Sequence, residues 1–210
     1  LRLLCRPSAL NRLAMSQLKA RYPRSHLTVV WGPGESPESI QALLCGPISM
    51  VFHIAAKGRD WGPSAEYIDA NETSTALLLA ALLKPSGDEH RLLRFVHISS
   101  VDVYTKAFLP EKCLPEESTP LDLGSPYGYT VTKARADLLV LEASRFGLPV
   151  TILRPAAVYG EGSWSFGSEE ARAIQKGMML EADQGACLSG LVHVDDVVSA
   201  VLLAALSESC

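Results

Sequence analysis

The chain has 210 residues, of which 48% are hydrophobic and 20% are charged, and its formal net charge is −4. That is enough apolar material for one globular domain, or for one domain and part of another. The acidic balance gives no basic surface of the kind that nucleic acids or anionic membranes attract. The longest apolar stretches, 76–83 and 197–206, are shorter than the roughly 20 residues that cross a bilayer. We therefore expect neither nucleic acid nor a membrane as a partner.

The five cysteines stand far apart, at positions 5, 45, 113, 187 and 210, and no two of them form a CxxC pair. An odd, scattered set argues against a disulfide framework and against a zinc site. Free thiols of this kind suit a reducing compartment. We therefore expect a cytoplasmic protein without a metal site.

Short apolar runs alternate with amphipathic stretches along most of the chain. The apolar runs predict strands at 1–5, 27–31, 50–55, 94–99 and 149–154. The amphipathic stretches predict helices at 8–21, 37–44, 70–84 and 129–146. Strands of four to six residues that alternate with helices are typical of βαβ units. The sequence therefore predicts an α/β fold with a doubly wound parallel sheet.

This alternation ends near Gly160. Gly, Ser and Trp dominate 160–168, one helix follows, and 177–190 has no regular pattern. An apolar helical pattern returns in the last twenty residues. The change in pattern predicts a boundary near 160, followed by a segment that faces the substrate.

In doubly wound sheets, ligands bind where the parallel strands end. The predicted strands end at Arg6, at 55–57, at 99–100 and at 155–157. A helix that begins with Tyr129 follows Pro126 and Gly128. We expect these residues to lie at one edge of the sheet.

Tyr129 and Lys133 are four residues apart, which places both side chains on one face of a helix. An ammonium beside a phenol favours the phenolate and lowers its pKa from about 10 toward the range of an acid/base catalyst. The hydroxyl of Ser100, at a neighbouring strand end, could hold a substrate oxygen beside that phenol. The spacing alone is weak, because helices also carry such pairs on their surfaces by chance.

Six segments, in this order, resemble one known family. They are VFHIAAKG (51–58), the helix that begins at Asn71, RFVHISSVDVY (94–104), SPYGYTVTKA (125–134), LRPAAVYGEG (153–162) and LVHVDDVVSA (191–200). Together they resemble the extended short-chain dehydrogenases/reductases of the NAD-dependent epimerase/dehydratase type. The resemblance spans nearly the whole chain and implies a Rossmann-type fold.

The resemblance also implies roles for single residues. Tyr129 would be the acid/base, and Lys133 would hold the nicotinamide ribose and lower the pKa of the tyrosine. Ser100 would bind the substrate oxygen. Asn71 matches the catalytic asparagine of the family, although a simple helix N-cap is an equal alternative.

Further positions would contact the ligands. The implied cofactor-binding residues are Arg6, Ala55, Ala56, Lys57, Ser99, Tyr129, Lys133, Pro155, Ala156, Ala157 and Val158. The implied substrate-binding residues are Ser100, Asp102 and Trp164. The substrate would be a small molecule, such as a sugar nucleotide or a steroid-like or other alcohol or ketone. The resemblance leaves a homodimer open.

Two parts of the family pattern do not occur in these 210 residues. There is no GxxGxxG turn, whose amides and helix N-terminus hold the cofactor pyrophosphate. By the layout of the family, 1–5 is the second strand, and the long C-terminal region is also missing. We therefore expect an incomplete NAD(P)-binding Rossmann domain at 1–160, a partial substrate-binding segment with a return helix at 161–210, and no activity from this chain alone.

Arg6 stands where a carboxylate would bind the ribose 2′-hydroxyl of NAD, and an arginine there can pair with the 2′-phosphate of NADP. Either cofactor fits the resemblance, with NADP favoured. The expected function is redox chemistry at a secondary alcohol or ketone. A nucleotide-sugar epimerase and a non-catalytic dinucleotide-binding or interaction protein of the same fold are the alternatives.

Overall fold

The computed structural model describes residues 1–58, 62–84, 92–107, 117, 119–161, 163, 168–178 and 190–207. Its strands are β1 (Arg2–Cys5), β2 (Thr28–Trp31), β3 (Met50–His53), β4 (Arg94–Ile98), β5 (Val150–Leu153), β6 (Ala157–Tyr159) and β7 (Leu191–His193). Its α-helices are α1 (Ala9–Arg21), α2 (Pro37–Leu43), α3 (Ser64–Tyr67), α4 (Ser74–Leu82), α5 (Gly128–Arg145), α6 (Ser168–Gln175) and α7 (Val194–Leu206).

All strand pairs in the described part of the chain are parallel. The strand β3 pairs with β4, and β4 pairs with β5, which gives a central sheet in the order β3-β4-β5. Two smaller sheets consist of β1 with β2 and of β6 with β7. The α/β architecture with parallel strands agrees with the prediction, but the described strands form three sheets rather than one.

The central strand β4 is covered on both faces. Because side chains alternate along a strand, the neighbours Phe95 and Val96 point to opposite sides. Phe95 packs with apolar residues of α4 and α5, such as Leu78 and Val140. Val96 packs against α7, where Val201 is one of its partners. Helices on both faces of a parallel sheet define the doubly wound arrangement.

One helical run spans 64–82 and changes its winding in the middle. It consists of α3, a π-helical segment (Ile68–Thr73) and α4. The prediction began this helix at residue 70, where the apolar pattern starts. The earlier turns, 64–69, have no regular apolar pattern, but Tyr67 is buried beside Gly128 at the start of α5. π-helical turns are rare and often lie at functional sites. The buried Asn71 within this segment is therefore a candidate site residue.

The strands β6 and β7 and the 3-10 helix Val101–Ala107 were not predicted. The two strands have three residues each, which is too short for a clear alternation of apolar and polar residues. Their pairing links residues on both sides of position 160, and α7 returns to pack on the central sheet. The division of the chain at 160 stays a prediction about function. No helix in the described ranges is both long and apolar enough to cross a membrane.

Candidate functional site

The carboxyl ends of the three central strands lie at one edge of the sheet. The register pairs His53 with His97, and Ile98 with Leu153. Backbone pairing continues past β4, because the amide of Val101 donates to the carbonyl of Pro155 at 3.1 Å. The predicted residues of the 55–57, 99–100 and 155–158 segments therefore follow strand ends that are aligned with one another.

Lys133 connects α5 to this edge. Its side chain is 2% exposed, and its Nζ donates a hydrogen bond of 2.6 Å to the carbonyl oxygen of Ile98, the last residue of β4. Burial lowers the pKa of Lys133 from 10.5 to about 8, while the negative charge of Asp137 acts to raise it. The ammonium is thus held at the residue that directly precedes Ser99 and Ser100. It carries its charge below pH about 8.

Tyr129 is the second residue of α5 and lies one turn before Lys133. Its side chain is half-buried. The preceding Gly128 permits a close approach, because a Cβ at that position would lie 3.0 Å from Cδ2 of the buried Tyr67. The start of α5 is therefore packed tightly against the helical run that contains Asn71.

Ser100 is buried, and its hydroxyl forms a local turn with Asp102. The hydroxyl donates to Oδ2 of Asp102 at 3.0 Å and accepts from the Asp102 amide at 3.2 Å. Asp102 is exposed, whereas Ser99 is buried. The turn orients the serine hydroxyl at the end of β4.

Asn71 is not a helix N-cap, because it lies inside the π-helical segment. Its Oδ1 accepts from the amide of Lys57 at 2.7 Å. Its Nδ2 donates to the Lys57 carbonyl at 3.2 Å and to Oγ1 of Thr132 at 3.0 Å. A single buried amide therefore ties the segment after β3 to the first turns of α5.

The segment after β3 leaves room for a ligand. Ala55 and Ala56 are small and exposed. Lys57 is partly buried, and its ammonium bonds to Glu66 and lies 5.1 Å from the centre of the Tyr67 ring. Small residues at an exposed strand end permit the close approach that a bound dinucleotide requires.

The remaining predicted positions lie at other strand ends or outside the described residues. Arg6 follows β1 and donates two hydrogen bonds to the carboxylate of Glu35. Pro155 and Ala156 connect β5 to β6, which contains Ala157 and Val158. Trp164 falls outside the described residues. In the part of the chain that the structure describes, no group of three or more His, Cys, Asp or Glu side chains is placed to hold a metal.

Asp137 was missed by the sequence reasoning. It lies one turn after Lys133 on α5 and is fully buried. Its Oδ2 accepts from Nε of Arg154 at 2.8 Å, and Nη1 of Arg154 donates to the hydroxyl of Tyr104 at 2.5 Å. Burial acts to raise the pKa of Asp137, but its contacts with His97 and Arg154 outweigh that effect and hold the pKa below the usual range. The four-residue spacing from Lys133 was the available signal.

The two strand histidines are neutral residues of the core. His53 and His97 are buried and stack with their ring centres 5.3 Å apart. Burial is the main cause that lowers the pKa of His53 to about 3, and it also lowers the pKa of His97. The contact of 3.3 Å between His97 and Asp137 is therefore not an ion pair at neutral pH.

Comparison with known proteins bears on the family and the fold of the chain. The sequence model of the NAD dependent epimerase/dehydratase family matches residues 9–209. The chain belongs to this family. The predicted membership and the Rossmann-type fold are therefore confirmed.

Two curated relatives show the range of chemistry in the family. A 4-hydroxy-2-methyl-3-oxo-4-farnesyl-3,4-dihydroquinoline-1-oxide ketoreductase from Stigmatella aurantiaca is 31% identical over 179 residues, which cover 84% of this chain and 50% of the relative. A dTDP-glucose 4,6-dehydratase from Streptomyces niveus is 38% identical over 114 residues, which cover 52% of this chain and 31% of the relative. The chain thus spans half the length, or less, of these two relatives.

The fold also matches that of solved family structures. The structure of RMD from Pseudomonas aeruginosa, a complex with NADPH, superposes with a TM-score of 0.66 and 23% identity, over 97% of this chain and 73% of that one. At this identity, the likeness shows the fold alone.

The burial of Lys133 gives a test in solution. At pH 7, the charge is buried in the folded protein, whereas above pH about 8 the folded protein no longer carries it. The unmutated protein should gain stability between pH 7 and pH 10, because the folded protein loses the Lys133 proton at a lower pH than the unfolded chain does. Relative to Lys133→Met, which has no such proton, its free energy of unfolding should rise by about 1–3 kcal/mol over that range. Urea unfolding at several pH values measures it.

The control for this prediction is Lys19→Met, which removes an exposed lysine from α1. Its effect on the free energy of unfolding should not depend on pH over the same range, because an exposed ammonium keeps its hydration. A pH-independent effect of Lys133→Met would contradict the buried charge described here.

Proposed function

We propose that the protein is an NAD(P)-dependent oxidoreductase that acts on a secondary alcohol or ketone through Ser100, Tyr129 and Lys133. One observation carries the proposal. Tyr129 and Lys133 lie one turn apart on α5, and the Lys133 ammonium bonds to the last carbonyl of β4, directly before Ser99 and Ser100. A phenol, an ammonium and a hydroxyl therefore come from two elements that are joined by a hydrogen bond at the sheet edge.

The residues at this edge fit a nicotinamide dinucleotide. The small, exposed Ala55 and Ala56 would lie along it, Lys133 would bond to its ribose, and the 155–158 segment would border the nicotinamide. Arg6 would lie toward the adenosine end. The cofactor, NADP or NAD, would supply or accept the hydride.

The protein side chains would handle the proton and the substrate oxygen. The Ser100 hydroxyl would hold the oxygen of the reacting carbon, and the Tyr129 phenol would donate a proton to it or take one from it. The Lys133 charge would stabilise the phenolate, since an ammonium favours the charged form of a nearby phenol. Asn71 would act as a positioning residue, because its amide groups hold the Lys57 backbone and Thr132.

The same proposal assigns different roles to two parts of the chain. Residues 1–160 would bind the cofactor, and 161–210 would contribute to a substrate-binding segment. The substrate would be a sugar nucleotide or another alcohol or ketone. We also propose a cytoplasmic location, because scattered cysteines suit a reducing compartment.

The first test concerns the proton donor. In the full-length protein, with whatever residues flank 1–210, Tyr129→Phe should lower turnover by about 10²–10⁴-fold and leave cofactor affinity nearly unchanged. Lys133→Ala should lower both turnover and cofactor affinity. Turnover is measured with a panel of ketones and UDP- and dTDP-sugars, and affinity is measured by calorimetric titration with NADP and NAD.

The matched control is Tyr127→Phe, because Tyr127 is 65% exposed and lies two residues from Tyr129. That variant should keep full turnover. If Tyr129→Phe also kept its turnover, the proposed mechanism would be wrong. Net production of oxidised or reduced nicotinamide indicates an oxidoreductase, whereas sugar inversion without net change indicates the epimerase. Cofactor binding without turnover on any member of the panel would favour the non-catalytic alternative.

The second test concerns residues 1–210 expressed alone. They contain no GxxGxxG turn, and no hydrogen bond of the described strands joins the β1–β2 sheet to the central sheet. A dinucleotide held only near its ends must still lose the conformational entropy of its middle. We expect no measurable turnover and no micromolar binding of NADP or NAD by calorimetry. Micromolar binding would show that another segment holds the pyrophosphate.

A further inference from the structure

The ends of β1 and β2 form an ion pair that the family resemblance does not predict. Arg6 directly follows β1, and Glu35 lies in the turn that follows β2. Nη2 of Arg6 donates to both carboxylate oxygens of Glu35, at 2.8 and 2.7 Å. The side chains of Arg6 and Glu35 are 55% and 25% exposed, respectively. The pair is therefore open to a ligand.

The backbone around Arg6 is also fixed. The amide of Gly32 donates to the carbonyl of Cys5 at 2.9 Å, which continues the pairing of the two strands up to Arg6. The side chain of Asn11 donates to the Arg6 carbonyl at 2.8 Å, and Ser8 caps the N-terminus of α1. The guanidinium and the carboxylate are thus presented side by side from two paired strand ends.

The ion pair between Arg6 and Glu35 affects the binding of a phosphate and the binding of a hydroxyl differently. A 2′-phosphate on the adenosine ribose would need donors of the guanidinium whose Nη2 Glu35 already holds, and it would bring negative charge close to that carboxylate. A ribose hydroxyl has no such conflict, because it carries no charge and can donate a hydrogen bond to a carboxylate. The carboxylate therefore opposes the attraction that Arg6 exerts on a phosphate.

We infer that Glu35 is a specificity-determining residue, which competes with the 2′-phosphate of NADP for Arg6 and so reduces the preference for NADP over NAD. The inference rests on the proposed function, since it concerns the same cofactor. The preference between NADP and NAD would then depend on residues from two strand ends, Arg6 and Glu35, and not on Arg6 alone.

The experiment is a double-mutant cycle in the full-length protein, read by calorimetric titration with NADP and with NAD. Glu35→Gln keeps the shape of the side chain but removes its charge. We expect NADP to bind about tenfold more tightly, because its phosphate gains a charge-assisted bond that no carboxylate contests. NAD affinity should change by less than about twofold. In an Arg6→Gln background, the gain from Glu35→Gln should fall to about threefold or less, because only screened repulsion remains.

Glu38→Gln is the matched control. Its carboxylate is also near the start of α2, but it accepts from the hydroxyl of Ser36 at 2.6 Å rather than from Arg6. Neutralising it should leave the ratio of the two affinities unchanged. A change equal to that of Glu35→Gln would mean that general charge, and not competition for Arg6, sets the preference.

The remaining outcomes separate this inference from the function on which it rests. If both nucleotides bind and Glu35→Gln does not alter the ratio, the inference is wrong and the proposed function stands. The same holds if the gain is equal with and without Arg6, or if NAD affinity falls while NADP affinity is unchanged. If the unmutated protein binds neither nucleotide, the proposed function fails and this inference fails with it.

Discussion

The charge of Lys133 lies almost entirely out of contact with water, and burying an ammonium is unfavourable unless other groups compensate it. Two kinds of group do so here. The carbonyl of Ile98 accepts its hydrogen bond, and Asp137 supplies a negative charge from the next turn of α5. Because these partners belong to β4 and to α5 itself, the position of the helix relative to the sheet is fixed by the same contacts that hold the cation.

The helix α5 therefore joins three parts of the site. Thr132 bonds to Asn71 of the π-helical segment, Lys133 bonds to the end of β4, and Asp137 bonds to Arg154 at the end of β5. These three residues cover little more than one helical turn. A change at any one of them would alter the relative positions of strand ends that the chain brings together from distant parts of the sequence.

The sequence predicted the elements of the site better than their contacts. Period and spacing predicted β4 and α5 nearly to the residue, and they placed Tyr129 and Lys133 on one helix face. The same patterns do not show which buried polar groups pair. Asp137 and Arg154 are 17 residues apart, and Arg6 and Glu35 are 29 residues apart, so only the fold brings either pair together.

The role of Asn71 shows the same limit. Its position near the start of an apolar helix fitted both an N-cap and a catalytic asparagine. The structure excludes the N-cap because the helix begins earlier, where Tyr67 is buried against the start of α5. Helix propensity could not predict this, since the short turns at 64–69 depend on a tertiary contact for their stability.

Burial differs sharply between the two sides of the sheet edge. On the side of α5, Asn71, Lys133 and Asp137 are nearly or fully buried, and each is held by elements other than its own. On the other side, Ala55 and Ala56 are exposed. Under the proposed function, the buried groups would fix the position of the proton donor Tyr129, and the exposed strand end would admit the dissociable cofactor. Both features depend on α5, because it carries Lys133 and Asp137 and bonds to Asn71 through Thr132, while Ala55 and Ala56 stay exposed.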